Sequence, residues 1–477
     1  MEKSVLVLDC GATNVRAIAV DIKGNIIAQS SLPNNTQPDP ENKSQLIWDV
    51  QEIWEKMKIT AGHVLKKTGK KNIAAVTITT FGVDGATFSK DGTMTYPVIS
   101  WQCTRTEPVM KYIDKYIPLE KLYEINGVQP FSFNTINKLI WLKENKSEVL
   151  EKSDTFLFMP SIFAYFLTGV MVNDTTMAGT SMLTDLKTRK LSTEILDSIG
   201  VDPSIFPDYV EPGQIIGEVT LKAESEIGIP AGIPVIATGH DTQFAIFGSG
   251  AGENEPVISS GTWEILMVRA RQVATDAKML KRGVTNELDA VPGLYNTGIQ
   301  WIASGMLEWI KKMFFADINL KGNIYDLMIK EALQVGAGSN GIRIKPDFFE
   351  ITNSNNGVIS GITMDTSRGQ VYRAALESLA YRTKESLEFM EKSGEFIAQK
   401  LICVGGGSKN ILWNQIKADV LQLPIKVVRQ KETTVLGAAL FAMSGAGLYS
   451  SPEEARSVID YKGEVYEPGE NSKVYNP

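Results

Sequence analysis

Short β-branched runs alternate along the chain with stretches whose apolar residues recur at helical spacing. Residues 4–8 and 15–20 are strand-like and flank the small-residue turn Gly11-Ala12-Thr13-Asn14, and Lys23-Gly24-Asn25 turns the chain into a third run at 26–32. Trp48, Ile53, Met57, Ile59, Val64 and Leu65 then predict a helix over 48–67. A buried run at 73–79 follows and ends at Phe81-Gly82. Further on, Ser259-Ser260-Gly261-Thr262 sits between the strand-like stretches of 256–269. Helices are predicted at 303–315, 370–391, 410–423 and 434–443, and strands at 401–404 and 425–428, with the glycine turn Gly405-Gly406-Gly407 between.

Three antiparallel strands, a helix and a further strand is the order of an RNase H-like, actin-type ATPase half, and a similar strand–turn–strand opens the second half. The expected fold class is therefore α/β, with two RNase H-like (actin/hexokinase-type ATPase) domains flanking an interdomain cleft. The predicted division is 1–245 and 246–477, because Gly248, Gly250 and Gly252 give the chain a place to bend. The polar, acidic end at 466–477 reads as a loosely held tail.

Composition narrows the partners. A length of 477 residues exceeds one ordinary core, and 43% apolar with 22% charged residues suits a soluble globular protein. A net charge of -7 without a clustered basic tract argues against nucleic acid. No stretch approaches the ~20 apolar residues that span a bilayer, and the opening MEKSVLVLDC is too short in apolar residues for a signal peptide. A cytoplasmic protein with no membrane partner is expected. Cys10, Cys103 and Cys403 show no ligand spacing and read as reduced thiols filling the core. Only His63 and His240 occur, which excludes a His-rich metal site.

Three turns and one strand end carry candidate chemistry. Asp9 closes a buried strand beside a turn whose N–H groups can face a phosphate, so a hydrated divalent ion is its natural partner. Thr13 and Asn14 can donate to phosphate oxygens, and Arg16 needs an anion or a carboxylate. The competing reading is a hairpin whose Asp caps its own turn. Gly261 and Thr262 offer the same chemistry from the second half. Gly405 and Gly406 allow a flat adenine ring to approach the backbone, and Ser408 or Asn410 can cap the next helix. Gly239-His240-Asp241 leaves the buried strand at 234–238, and Asp241 serves equally as a helix cap or as a carboxylate that accepts a hydroxyl proton. Gly336-x-Gly338-x-x-Gly341 follows a predicted helix rather than a strand and is read as a loop, and no P-loop sequence occurs.

These residues resemble the FGGY carbohydrate kinases over nearly the whole chain. Phe133-Asn134-Thr135-Ile136-Asn137-Lys138-Leu139-Ile140-Trp141-Leu142-Lys143-Glu144-Asn145 fits the first family signature. Gly357-Val358-Ile359-Ser360-Gly361-Ile362, Gln370-Val371 and Ala374-Ala375-Leu376-Glu377 fit the second. The resemblance implies ATP-dependent phosphorylation of the 1-hydroxyl of a small ketose, L-fuculose first, with L-rhamnulose, D-ribulose or D-xylulose as alternatives. It implies Asp241 as catalytic base, Thr13, Asn14 and Arg16 as the first phosphate motif, and Gly261 and Thr262 as the second. Gly405 and Gly406 fall in the adenosine turn. Gly82, Asp84, His240, Asp241 and Asn296 fall where the ketose is held, and Asp9 where Mg2+ of MgATP is held through water. Lys138, Trp141 and Leu142 lie at helical spacing and are read as packing. Ser304 stands where related rhamnulokinases carry a Gln, so that contact is not carried over, and Glu264 departs from many sugar kinases. A homo-oligomer is compatible with this reading. A non-enzymatic actin-type ATPase is the rival class, and the chain shows no appended peptide-binding segment for it.

Overall fold

The seven residues Ser4–Cys10 are buried at every position, the pattern of a strand covered on both faces. In the computed structural model, which describes residues 3–316, 323–346, 357–430 and 432–476, this strand is central to a six-stranded sheet. Asn14–Asp21 pairs antiparallel with it and Ile26–Pro33 antiparallel with Asn14–Asp21, as the sequence predicts. On the other side Ile73–Thr80 and then Pro234–Ile236 add in parallel, and Ile215–Glu218 closes the edge antiparallel. The predicted helix spans Val50–Thr68, and the Asp49 side chain caps it by accepting from the Glu52 amide at 3.0 Å. Its apolar stripe, Ile53, Trp54, Met57, Ala61 and Val64, belongs to the same core as Leu6, Leu8 and Ala17. A second core gathers Ile113, Ile136, Leu139, Phe158 and Ile195 from the helical insertion beyond.

The chain forms two compact units, 1–250 with 271–296 and 432–460, and 251–270 with 297–431 and 461–477. The expected cut at residue 245 falls inside the helix Asp241–Gly248. The last long helix, Thr433–Gly445, belongs to the first unit rather than the second. It is apolar all round, and it packs against Asp241–Gly248, where Phe441 meets Phe244 and Phe247 edge-on.

In the second unit Val257–Ser260 and Trp263–Ala270 form the predicted hairpin, and Leu401–Val404 and Ile425–Val428 extend the sheet in parallel. The helix Arg368–Gly394 opens on a capping box between Ser367 and Gln370. The acidic end is not loose, contrary to its composition. Gly463–Tyr466 pairs antiparallel with Ile425–Val428, and Tyr475 is buried, its hydroxyl 2.9 Å from Arg373 Nη2 and 2.7 Å from Glu377 Oε1. All three cysteines are buried and free. Among the described residues no helix is long and apolar enough to cross a membrane.

Beneath the second hairpin, Glu264 and Lys417 form an ion pair with no exposed surface on either side chain. Ser260 Oγ and Trp301 Nε1 also donate to Glu264, at 2.9 and 3.2 Å, and the Lys417 ammonium lies 3.8 Å from the Trp413 ring centroid. Removing one partner strands a buried charge. Lys417→Met is therefore expected to lower stability by about 3–5 kcal/mol, with Glu264→Gln added in the double variant restoring part of it. Equilibrium unfolding of the single and double variants checks this.

Candidate active site

Three parallel strands of the first unit end side by side. Asp9 stands beside Thr79 in the register of Ser4–Cys10 with Ile73–Thr80, and Pro234–Ile236 pairs with Ile73–Thr80 on its other edge. The carboxyl ends of these strands therefore bring together Asp9, the turn at Gly82 and the segment Gly239-His240-Asp241, the position at which open α/β sheets bind ligands.

Asp9 is buried, and both Arg16 contacts fall on its Oδ2, from Nε at 2.8 Å and Nη2 at 2.5 Å. Arg16 Nη1 reaches Glu432 at 2.7 Å, so the arginine expected on phosphate is already held by two carboxylates. Burial pushes the Asp9 pKa up to about 6, with Arg16 opposing that shift and Asp241 and Glu432 adding to it. Thr13 and Asn14 are exposed at the hairpin tip, where the Gly11 amide donates to the Asn14 carbonyl at 2.9 Å. Among the described residues no group of three or more His, Cys, Asp or Glu could hold a bare metal ion. Asp9, with Oδ1 left over, fits instead a hydrated Mg2+ that arrives with phosphates.

Gly239 fixes the next loop. A Cβ there would strike the Asp174 carboxylate and would lie 2.5 Å from Thr176 Oγ1. The His240 amide donates to that Oγ1 at 2.9 Å, while the Gly239 carbonyl accepts from the Thr80 amide at 3.0 Å and Thr79 Oγ1 at 2.9 Å. His240 caps the helix Asp241–Gly248 by position without a side-chain bond, so the alternative role of Asp241 as N-cap does not apply. The Asp241 side chain is 35% exposed, yet desolvation raises its pKa, with the His240 charge opposing. His240 Nε2 lies 3.4 Å from Asp241 Oδ1, and Nδ1 lies 3.5 Å from Glu287 Oε2. The same Glu287 oxygen accepts from Gln243 Nε2 at 2.6 Å, and Gln243 Oε1 accepts from Asn296 Nδ2.

Two residues expected to hold the sugar have no exposed surface. Asp84 has 0% exposure, and its carboxylate is engaged by Lys138, by Trp48 Nε1 at 2.6 Å and by the Trp101 amide at 3.1 Å. It works from behind the surface rather than on it, because a carboxylate this deep requires internal donors. Lys138 is thus an ion-pair partner rather than simple packing. With Thr135 it also binds the carbonyl of Val83, a β-branched residue at φ 63°, a strained conformation that needs such support. Asn296 is likewise fully buried, although its Oδ1 has no partner in the protein. Gly82 lies directly under the imidazole, where a Cβ would come within 2.9 Å of His240 Nε2.

In the second unit Gly261, Thr262, Ser304, Tyr372, Gly406 and Trp413 line a cavity of about 450 Å³. The hairpin tip is tied to the next helix by the Ala303 and Gly305 amides, which donate to Thr262 O at 3.0 and 3.2 Å. Gly405 packs against the Ser260 carbonyl, and Asn410 caps the helix Ile411–Leu421 by accepting from the Trp413 amide at 3.1 Å. The Gly336–Gly341 decoy is, as read, a loop after the helix Ile324–Leu333.

Sheet order, hairpins and strand-end carboxylates together define a sugar kinase of the RNase H-like class. The chain belongs to the FGGY family of carbohydrate kinases: the family's N-terminal domain matches residues 4–248 and its C-terminal domain residues 257–446. It is 45% identical over 467 residues to the L-fuculokinase of Escherichia coli (strain K12), covering 98% of each chain. It is 29% identical to the rhamnulokinase of Bacteroides thetaiotaomicron, over 96% of this chain and 94% of that one. The crystal structure of xylulose kinase from Rhodospirillum rubrum superposes with a TM-score of 0.90 at 21% identity, over 99% of this chain and 96% of that one, a likeness of fold.

Sequence reasoning missed Glu287, Gln243, Asp174 and Glu432. Gly239 before a catalytic candidate hinted at a crowded neighbour, but nothing in the sequence pointed to which residue crowds it.

Asp174 supplies a pH test. Burial raises its pKa from 3.8 to about 6, against hydrogen bonds from Thr176 and the Met177 amide. The folded state therefore binds this proton more tightly than the unfolded one, and this contribution to stability is lost as pH rises from about 4 through about 6. Relative to Asp174→Asn, which keeps the N-cap, the wild type should lose up to about 3 kcal/mol across that window. Parallel pH profiles in equilibrium unfolding would overturn the assignment.

Proposed function

We propose that the protein transfers the γ-phosphoryl group of ATP to the 1-hydroxyl of L-fuculose, with Asp241 as the base. One observation carries the choice of sugar: identity to an L-fuculokinase is 45% over 98% of both chains, against 29% for the rhamnulokinase. Asp241 suits the role because it is the partly exposed carboxylate at the strand ends, whereas Asp9 and Asp84 are engaged by Arg16 and Lys138.

The sugar lies against His240 and Asp241, with Asn296 Oδ1 free to accept a hydroxyl proton and Asp84 and Lys138 holding the turn at Gly82 from behind. Thr13 and Asn14 meet phosphate oxygens, and Arg16 acts through Asp9 rather than on phosphate alone. Gly261, Thr262 and Gly406 line the cavity that accepts the adenosine end, and Gly405 belongs to the turn that leads into it. Asp9 would hold Mg2+ through water, and the ion, when bound, neutralises charge on the transferring group. Asp241 takes the hydroxyl proton as the oxygen bonds to phosphorus and ADP leaves.

Asp241→Asn should lower kcat about 10²–10⁴-fold with a smaller change in sugar KM. Near-normal turnover by the folded variant would remove Asp241 from this role. In an ADP-release assay over a ketose panel, kcat/KM for L-fuculose should exceed that for L-rhamnulose, D-ribulose and D-xylulose by about tenfold or more. A different winner would replace the sugar and leave the kinase assignment intact.

A further inference from the structure

Glu287 lies in the strand Thr285–Leu288, and its Oε2 is shared by His240 Nδ1 at 3.5 Å and Gln243 Nε2 at 2.6 Å. We propose that Glu287 is a positioning residue for phosphoryl transfer, setting the orientation of His240 against Asp241 and, through Gln243, the orientation of Asn296. The inference rests on the reading of Asp241 as base and Asn296 as a sugar contact.

An ionised carboxylate only accepts, so both groups facing Glu287 must be donors. His240 Nδ1 has no hydrogen-bond partner within the protein and faces Glu287 across 3.5 Å as an ion-pair partner when the ring is protonated, with Nε2 toward Asp241 Oδ1 at 3.4 Å. Gln243 must turn its Nε2 to Glu287, so its Oε1 faces Asn296 and takes the Asn296 Nδ2 proton. Asn296 is left presenting an acceptor, the buried Oδ1 that has no partner in the protein. One carboxylate thus fixes the polarity of a chain running from Asp241 to Asn296. His240 to Glu287 is long for a hydrogen bond, as catalytic contacts often are before substrate binds.

Three carboxylates face the imidazole: Glu287 from its strand, Asp241 from the ring's own helix, and Asp174 beside Gly239. Burial pulls the ring toward its neutral form, and these three together more than offset it, leaving it above the ordinary histidine value. Its charge in turn opposes the desolvation that raises the Asp241 pKa.

The chain's two histidines make the test direct. Imidazole NMR spectra of the substrate-free protein, with His63→Asn removing the other ring, read the titration of His240. In Glu287→Gln the midpoint should fall by about one unit or more, the acid limb of kcat/KM should move to higher pH, and kcat/KM near neutral pH should drop about tenfold or more. Glu287→Asp should restore part of each effect, and it carries the same test if the Gln variant does not fold. An unchanged His240 midpoint overturns the proposal whatever the activity, and so does a shifted midpoint with unchanged kcat/KM. Loss of the base assignment reads differently: Asp241→Asn would turn over normally while the Glu287-dependent shift of His240 persisted.

Discussion

The first unit is governed by the problem of placing carboxylates at one edge of a buried sheet. Asp9, Asp84, Asp174, Asp241, Glu287 and Glu432 lie in or around the strand-end site, and among the described residues Arg16, Lys138 and, when protonated, the His240 ring meet them. Desolvation raises the pKa of Asp9, Asp84, Asp174 and Asp241 alike, so the internal cations compensate only in part. Under the proposed function, this residual demand for positive charge is met by the divalent ion brought in with phosphates. The electrostatics thus match phosphoryl transfer, in which positioning and charge neutralisation do most of the catalytic work.

The framework around that edge follows from the same demand. The carboxylate of Asp84 is worth its burial only because Lys138 reaches it from the first signature helix, Thr135–Asn145, and that lysine also secures the strained Val83 turn. Gly239 must lack a side chain because Asp174 and Thr176 occupy the space where one would go. Signature residues behind the surface therefore still shape the turns at the strand ends.

Much of this was legible in the sequence, and the failures have physical reasons. The Ser4–Cys10 strand and its hairpin were readable because local burial and turn chemistry agree. The place of Asp241 at a strand end was readable because a Gly-His-Asp segment leaves a buried strand. Glu287 was not, since a glutamate in the short alternating strand Thr285–Leu288 looks like any solvent-facing position and lies 46 residues beyond Asp241. Chain order also hid the return of Thr433–Gly445 to the first unit. The acidic end looked loose because composition does not reveal that Arg373 and Glu377 hold Tyr475.

His240 is the element that makes one proton acceptor out of several carboxylates. Asp9 is engaged by Arg16, Asp84 has its donors, and Asp174 caps a helix turn from beneath Gly239. Asp241 alone has its main compensation from a ring whose charge is conditional on a second carboxylate. A permanent cation at that place would hold Asp241 as a weak base, and an apolar side chain would let it protonate. A histidine ring facing Glu287 sits between these limits: its charge opposes the desolvation of Asp241 without a close contact, at 3.4 Å, the balance that the proposed role of Asp241 as base requires.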